Sequence, residues 1–459
     1  MSGKWRLRRI RFLQGRKTIN TMRVTVLAFL AIILTGTLLL MLPAASRDGH
    51  SCGLMTALFT ATSATCVTGL ILVDTWVHWT GFGQAVILLM IQIGGLGFMS
   101  CVCLALFLLR RRMGMRQRLI LAQSLNLPSF EGLLPLMKRA LLGTLLFEGT
   151  GAVILTVRFC FDFPFSQALA RGVFHAVSAF CNAGFDLMGV LQPFGSMAPY
   201  ATDPVVMLTL SALIVLGGMG FFVWDDVVRT RRWSRMSIYS RLVLLSTAAL
   251  IAGGMLGTLA LEWNNPGTLG QMTWGQKLLA ALFQSVTLRT AGFSAVDQGA
   301  LTESGKLLSC MLMLVGGSSG STAGGIKTVT VALLLLAVLA AFRGKNRVVV
   351  WGWEIPTRQV VSALSVAMMM LALAVLGGVV LAGSNGLPLL DCLYESCSAM
   401  GTVGLSTGIT TQLDRLSQIW IICYMFFGRV GIMTISLAFM LRNGAESRIG
   451  YPETQVIIG

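Results

Sequence analysis

Charge is scarce in this chain. Asp, Glu, Lys and Arg make up 12% of its 459 residues, and 55% are hydrophobic, whereas a water-soluble domain carries about 25% charged residues. A soluble fold this apolar would expose surface it could not cover, so the composition points to an integral membrane protein. Cysteine pairing signals are missing too. The ten cysteines include no C-x-x-C pair, and Cys101 and Cys103 sit inside an apolar run; they read as small buried hydrophobes rather than metal ligands or disulfides. The chain has no H-E-x-x-H, no P-loop and no G-x-G-x-x-G after a strand. Nothing therefore points to an enzyme, or to a nucleotide site on this chain.

The charge that is present is ordered. Net charge is +17. Lys and Arg gather from Lys4 to Arg23, at Arg110–Arg118, Lys138–Arg139, Arg229–Arg241 and Arg343–Arg358, and from Arg442 to Arg448. Acids gather in the alternate connections: Asp48, Asp74, Asp162, Asp186, Asp203, Glu262, Asp297, Glu303, Asp391, Glu395 and Asp414. Each basic run abuts an apolar span, which marks membrane topology rather than a nucleic-acid patch. The positive-inside rule places basic segments and both termini in the cytoplasm of a multi-pass protein of the cell inner (plasma) membrane, surrounded by lipid. The apolar stretch Val24 to Leu42 is too long for a signal-peptide core and lacks a small-residue cleavage site, so it reads as a retained first span.

Four short loops align. They are Cys66-Val67-Thr68-Gly69-Leu70, Cys181-Asn182-Ala183-Gly184-Phe185, Arg289-Thr290-Ala291-Gly292-Phe293 and Gly401-Thr402-Val403-Gly404-Leu405. Their glycines lie 115, 108 and 112 residues apart, and ten residues before each stands Phe59, Phe174, Leu282 or Tyr394. A long apolar span, an acidic connection and a short moderately apolar segment precede each loop; a second long span follows. A crossing needs about 20 apolar residues, so the short segment fits a re-entrant pore helix. The expected fold is all-α and membrane-embedded: four tandem helix–pore-helix–filter-loop–helix repeats around one central pore, with about eight spans. Spans are expected at 22–43 and 82–109, 134–158 and 204–228, 239–262 and 306–342, 358–383 and 416–441. After a basic arm at 1–21, the repeats occupy 22–112, 113–232 with a cytoplasmic lead-in, 233–345, and 346–459 with a C-terminal tail.

Backbone left open in hydrocarbon is tolerated only where it lines water or is buried in protein. Four loops converging on an axis meet both conditions, and their carbonyl oxygens can replace the hydration shell of a cation. Glycine suits such a strand because a Cβ disfavours the conformations that turn successive carbonyls inward. The candidate ion-binding residues are Val67, Thr68 and Gly69, Asn182, Ala183 and Gly184, Thr290, Ala291 and Gly292, and Thr402, Val403 and Gly404. A lone T-x-G would be a turn; four in register mark a filter. No ring of carboxylates recurs at the loops, which implies a monovalent cation.

The last span of the third repeat is interrupted by Gly316, Gly317, Ser318, Ser319, Gly320, Ser321, Thr322, Ala323, Gly324, Gly325, Ile326 and Lys327, too polar and flexible for helix. Several backbone groups there are expected to be unpaired at membrane depth, so the segment is either a gate beneath the filter or a passive kink. Lys327 sits near the cytoplasmic mouth or snorkels to the interface. Arg429 lies within the apolar run Ser417 to Leu441. A charge there costs about 2.5–3.5 kcal/mol on insertion scales and normally faces a cavity or partner. Its five donors match loop carbonyls, as barrier or as tether. Arg289 is expected to point behind its loop, with the intramembrane Glu148 a candidate partner. His78 and His175 read as locally hydrogen-bonded. An alternating-access carrier would more often show breaks at matching positions of inverted repeats; here the repeats run in one orientation and only the third is expected to be broken.

Thr68-Gly69-Leu70, Cys181 to Asp186, Thr290 to Ser294, Gly316 to Thr328 and Phe427-Gly428-Arg429-Val430-Gly431 together resemble the KtrB/TrkH/HKT superfamily of potassium transporters over nearly the whole chain. TrkH-type members carry extra spans before the first repeat. Here it begins at about residue 22, and the ending Ile457-Ile458-Gly459 is similar to the KtrB branch. The resemblance implies K+ as the transported ion, held at the filter, and uptake influenced by Na+. It implies a homodimer with one pore per protomer, on a cytoplasmic KtrA-like ring of nucleotide-binding regulatory subunits that carry ATP or ADP. It also implies that the glycine-rich loop gates and that Arg429 neighbours it. Ser319 stands where the family often has proline. The alternatives are a TrkH-like or Na+-permeable transporter of the same superfamily, and an alternating-access carrier.

Overall fold

The computed structural model describes residues 23–97, 133–345 and 347–431. Within them the helices recur in one order. The first unit holds α1 (Arg23–Leu40), α2 (Leu54–Cys66) and α3 (Gly81–Leu96). The second holds α4 (Leu133–Phe159), α5 (Phe165–Phe180), α6 (Pro204–Met219) and α7 (Phe221–Thr230). In the third come α8 (Ile238–Glu262), α9 (Trp274–Thr287), α10 (Glu303–Leu314) and α11 (Thr328–Phe342). The fourth has α12 (Thr357–Asn385), α13 (Leu389–Gly401) and α14 (Arg415–Val430).

The opening helices α1, α4, α8 and α12 are long and apolar enough to cross a membrane. Leu27, Leu145, Leu256 and Met368 stand exposed on them, as a lipid-facing surface requires. The pore helices α2, α5, α9 and α13 have 13, 16, 14 and 13 residues, too short to span. Phe59, Phe174 and Tyr394 are buried and Leu282 is partly buried, so the residue ten before each glycine anchors its pore helix in the core. Each helix after a loop begins on a side-chain cap. Thr80 accepts from Gly83 N, Asp203 from Val205 N and Val206 N, Thr302 from Gly305 N, and Asp414 from Ser417 N, which satisfies amides the first turn leaves open.

The expectation of a single broken span fails. α6 and α7 meet at 94°, across Gly220 at φ 87°. α3 and α14 also stop at left-handed glycines, Gly97 (φ 80°) and Gly431 (φ 89°). Hydropathy runs on through residues 204–228, so the composition hides the break; only a residue without Cβ takes that φ readily. The rest of the spans expected at 82–109 and 416–441, the basic arm, Cys101, Cys103 and the C-terminal tail lie outside the described residues. The all-α expectation needs one amendment. β1 (Val348–Val350) and β2 (Trp353–Ile355) form an antiparallel hairpin between units three and four, turning at Trp351 and Gly352, both with positive φ, the geometry of a primed hairpin turn.

Candidate functional site

All four aligned loops share one backbone conformation. The residue two before the glycine is left-handed, at Val67 (φ 56°), Asn182 (59°), Thr290 (64°) and Thr402 (54°), and so are Gly69 (95°), Gly184 (70°), Gly292 (84°) and Gly404 (94°). Left-handed residues on either side of an ordinary one turn successive carbonyls toward one side. The pore helix sets this up: Thr68 N donates to Ser63 O (2.8 Å), Ala183 N to Ser178 O (2.7 Å) and Val403 N to Ser398 O (2.8 Å). These are the wrapped-back bonds of a helix C-terminus that normally ends on glycine. Here the left-handed residue carries a Cβ, at about 1–3 kcal/mol each.

The glycines close a ring. A Cβ on Gly69 would lie 2.5 Å from the Ala183 carbonyl oxygen, one on Gly184 2.8 Å from that of Ala291, and one on Gly292 2.5 Å from that of Val403. A Cβ on Gly404 would overlap the Thr68 oxygen, which returns the ring to the first repeat. All twelve residues expected from the sequence belong to these four segments. Hydroxyls that the sequence reading passed over hold them from behind. Ser63 and Ser398 accept from the Gly69 and Gly404 amides (both 3.0 Å), while Ser178 and Thr287 donate to Phe185 O (2.8 Å) and Phe293 O (2.6 Å). A serine or threonine five or six residues before every glycine was the legible signal.

Below the ring, the glycine-rich segment is pinned rather than open. Ser318 N donates to Gly218 O (3.0 Å), Thr322 N to Gly217 O (3.3 Å) and Thr328 N to Gly317 O (3.1 Å). Phe221 N reaches Gly320 O (3.1 Å), and the Tyr239 hydroxyl reaches Ser319 O (2.8 Å). The expectation of unpaired backbone is thus largely corrected: the broken end of α6 supplies the partners. Arg429 donates to the carbonyls of Thr322, Gly94 and Gly95, joining this segment to the end of α3. A Cβ on Gly324 would overlap the Thr402 hydroxyl, so the segment lies directly against the fourth loop. Lys327 turns back to Ala323 O (2.8 Å). Gly316 to Gly320 also spells G-x-S-x-G, but the Ser318 hydroxyl donates to the Gly218 and Met219 carbonyls instead of to a base.

Other expected contacts divide. Arg289 does point behind its loop, where Nη2 reaches Thr247 Oγ1 at 3.4 Å. Glu148 is not its partner: both carboxylate oxygens accept from Gln92 Nε2 (3.1 and 3.2 Å), because α4 packs Glu148 toward α3 while Arg289 faces α8. His175 is satisfied at both nitrogens, Nδ1 2.7 Å from Arg171 O and Nε2 accepting from Leu187 N at 3.2 Å. His78 Nε2 has no partner among the described residues. Glu395, read as part of an outer connection, lies fully buried within α13 and accepts from the Thr410 hydroxyl.

Outside the ring opens a cavity of about 260 Å³, whose lining includes the four glycines and the residues two beyond them, Ile71, Asp186, Ser294 and Ser406. Burial foremost, and the neighbouring Asp74 charge, push the Asp186 carboxyl up to about 7, against the opposing Met188 amide.

Residues 6–448 match the TrkH family, described as a cation transport protein. The chain is 38% identical to the potassium/sodium uptake protein NtpJ of Enterococcus hirae over 449 residues, 97% of this chain and 98% of that one. It is 38% identical to the Ktr system potassium uptake protein B of Bacillus subtilis over 452 residues, 97% of this chain and 100% of that one. The crystal structure of the potassium transporter TrkH from Vibrio parahaemolyticus is alike in fold, with a TM-score of 0.69 at 17% identity over 92% of this chain and 85% of that one.

Proposed function

The chain belongs to the TrkH family of cation transport proteins, and from that premise we propose that it is the ion-conducting subunit of a potassium uptake system. The observation that carries this is the closed ring, in which each glycine faces the carbonyl oxygen of the next repeat. Thr68, Ala183, Ala291 and Val403 supply oxygens to a dehydrated K+, and the left-handed residues before them orient the layer below. Relatives named as parts of a Ktr system, or for potassium and sodium, support the same cargo. They also support a regulatory partner, which we read as a cytoplasmic nucleotide-binding ring under a homodimer, with ATP or ADP on the ring and Na+ influencing uptake.

In this reading the segment from Gly316 to Lys327 is the gate and Arg429 its latch. A closed arrangement favoured by about 1–3 kcal/mol would change the open population by roughly 5–150-fold. The second broken element, at Gly220, favours an alternating-access carrier as the competing reading. Purified protein in liposomes separates the two. Downhill rubidium flux that persists when a protonophore alone compensates the charge supports conduction; flux that still stops unless an alkali cation is exchanged on the protein sinks it. Repeating the assay with and without sodium reads the Na+ influence.

A further inference from the structure

The outer cavity is not symmetric. Its four walls present, two residues beyond each glycine, Ile71, Asp186, Ser294 and Ser406. Among the described residues, Asp186 is the one charged side chain in the lining. The nearby Asp74 is tied into the backbone: Oδ1 accepts from Trp76 N and Val77 N, and Oδ2 from Phe194 N, each at 2.9 Å. Asp186 Oδ1 accepts from Met188 N at 2.9 Å and the Ser196 hydroxyl also bonds the carboxyl, so part of a carboxylate's capacity of about four bonds remains toward the cavity.

The segment above it is held under strain. Phe194 and Ser196 are both left-handed, at φ 57° and 47°. Asp74 ties Phe194 from repeat one, while Met197 N to Ser294 O (2.8 Å) and Ser294 N to Ser196 Oγ (3.2 Å) tie the segment to repeat three. Non-glycine residues rest there only when their surroundings over-determine them. The result sets Ser196, Ser294 and Ser406 around the same space as Asp186, with their hydroxyls already bound: Ser196 Oγ accepts from Ser294 N, Ser294 Oγ donates to Val296 O, and Ser406 Oγ accepts from Gly408 N and Thr410 Oγ1.

We propose that Asp186, in this serine-lined mouth, forms an outer binding station where a monovalent cation is held, partly hydrated, before it enters the carbonyl ring, and that this station sets the apparent affinity of uptake. One negative charge in a partly enclosed mouth concentrates cations. A full ring of carboxylates would hold them too tightly to pass on. The inference rests on the conduction reading above and adds to it the step that precedes dehydration. The charged group acting on Asp186 is Asp74 from repeat one, and among the described residues no charged residue of repeat three or four lines the cavity.

The test is rubidium uptake into liposomes by the full-length protein, as a saturation curve. Asp186→Asn keeps the acceptor for Met188 N and removes the charge. It should raise the rubidium KM by about tenfold, more than it lowers the maximal rate, while Asp186→Glu stays near wild type. An unchanged KM in Asp186→Asn, or a fall in maximal rate alone, overturns the station. Should that variant not fold, an unchanged KM in Asp186→Ser overturns it equally. A wild type that carries no rubidium at all defeats the conduction reading, a different failure from an unmoved KM in a working transporter.

Discussion

At Gly404 two constraints meet: φ is 94°, and a Cβ would overlap the Thr68 carbonyl. Gly404→Ser must either abandon the left-handed backbone or push the first repeat's oxygen off the ring. Strain of about 1–3 kcal/mol falls on the site itself. The expected outcome is a correctly inserted protein that discriminates poorly between rubidium and sodium, measured by competition flux. Wild-type competition from that variant would remove the filter assignment. Gly292→Ala should act alike, since its Cβ would sit 2.5 Å from the Val403 oxygen. Val67 and Thr402 illustrate what pattern reading misses. Both are β-branched at left-handed φ, which local preference argues against.

At the scale of elements, the broken end of α6, the glycine-rich segment and α14 form one assembly. Arg429→Ala removes donors to the Thr322, Gly94 and Gly95 carbonyls, and should raise downhill rubidium flux by roughly 5–150-fold with discrimination kept. Gly220→Ala reaches the same segment from the other side. Its Cβ would meet Ser318 Oγ at 2.7 Å and Ser319 O at 2.9 Å, at φ 87°. We expect leak flux here too, and a double variant that adds less than the two effects combined, because both loosen one closed state. Flux normalised to folded protein checks this. Well-folded variants that conduct no faster than wild type would make the segment a kink.

For the whole molecule, the proposed orientation sets the caps Asp203 and Asp414 on the outer face and the basic runs on the inner one. Single cysteines near Arg232 and Arg347, in a background lacking the native ones, should resist impermeant thiol reagents added outside. Cysteines near Asp162 and Glu303 should react. The reverse pattern would invert the proposed orientation.

Membrane residence, the fourfold repeat, the short pore helices and the loop glycines were all legible in the sequence, because hydropathy, segment length and glycine spacing are local properties of the chain. The hydroxyl behind each loop was legible too, though unread. Which repeat faces which was not, nor was the break at Gly220 within an unbroken apolar run. Arg429 binds a carbonyl 335 residues away in Gly94, and Asp186 gains its setting from residues of the three other repeats. Such contacts arise only when distant segments pack, and local composition carries no record of them. The left-handed Val67 and Thr402 follow the same rule: the wrapped-back helix end and the neighbouring loops impose a backbone state that their own side chains oppose.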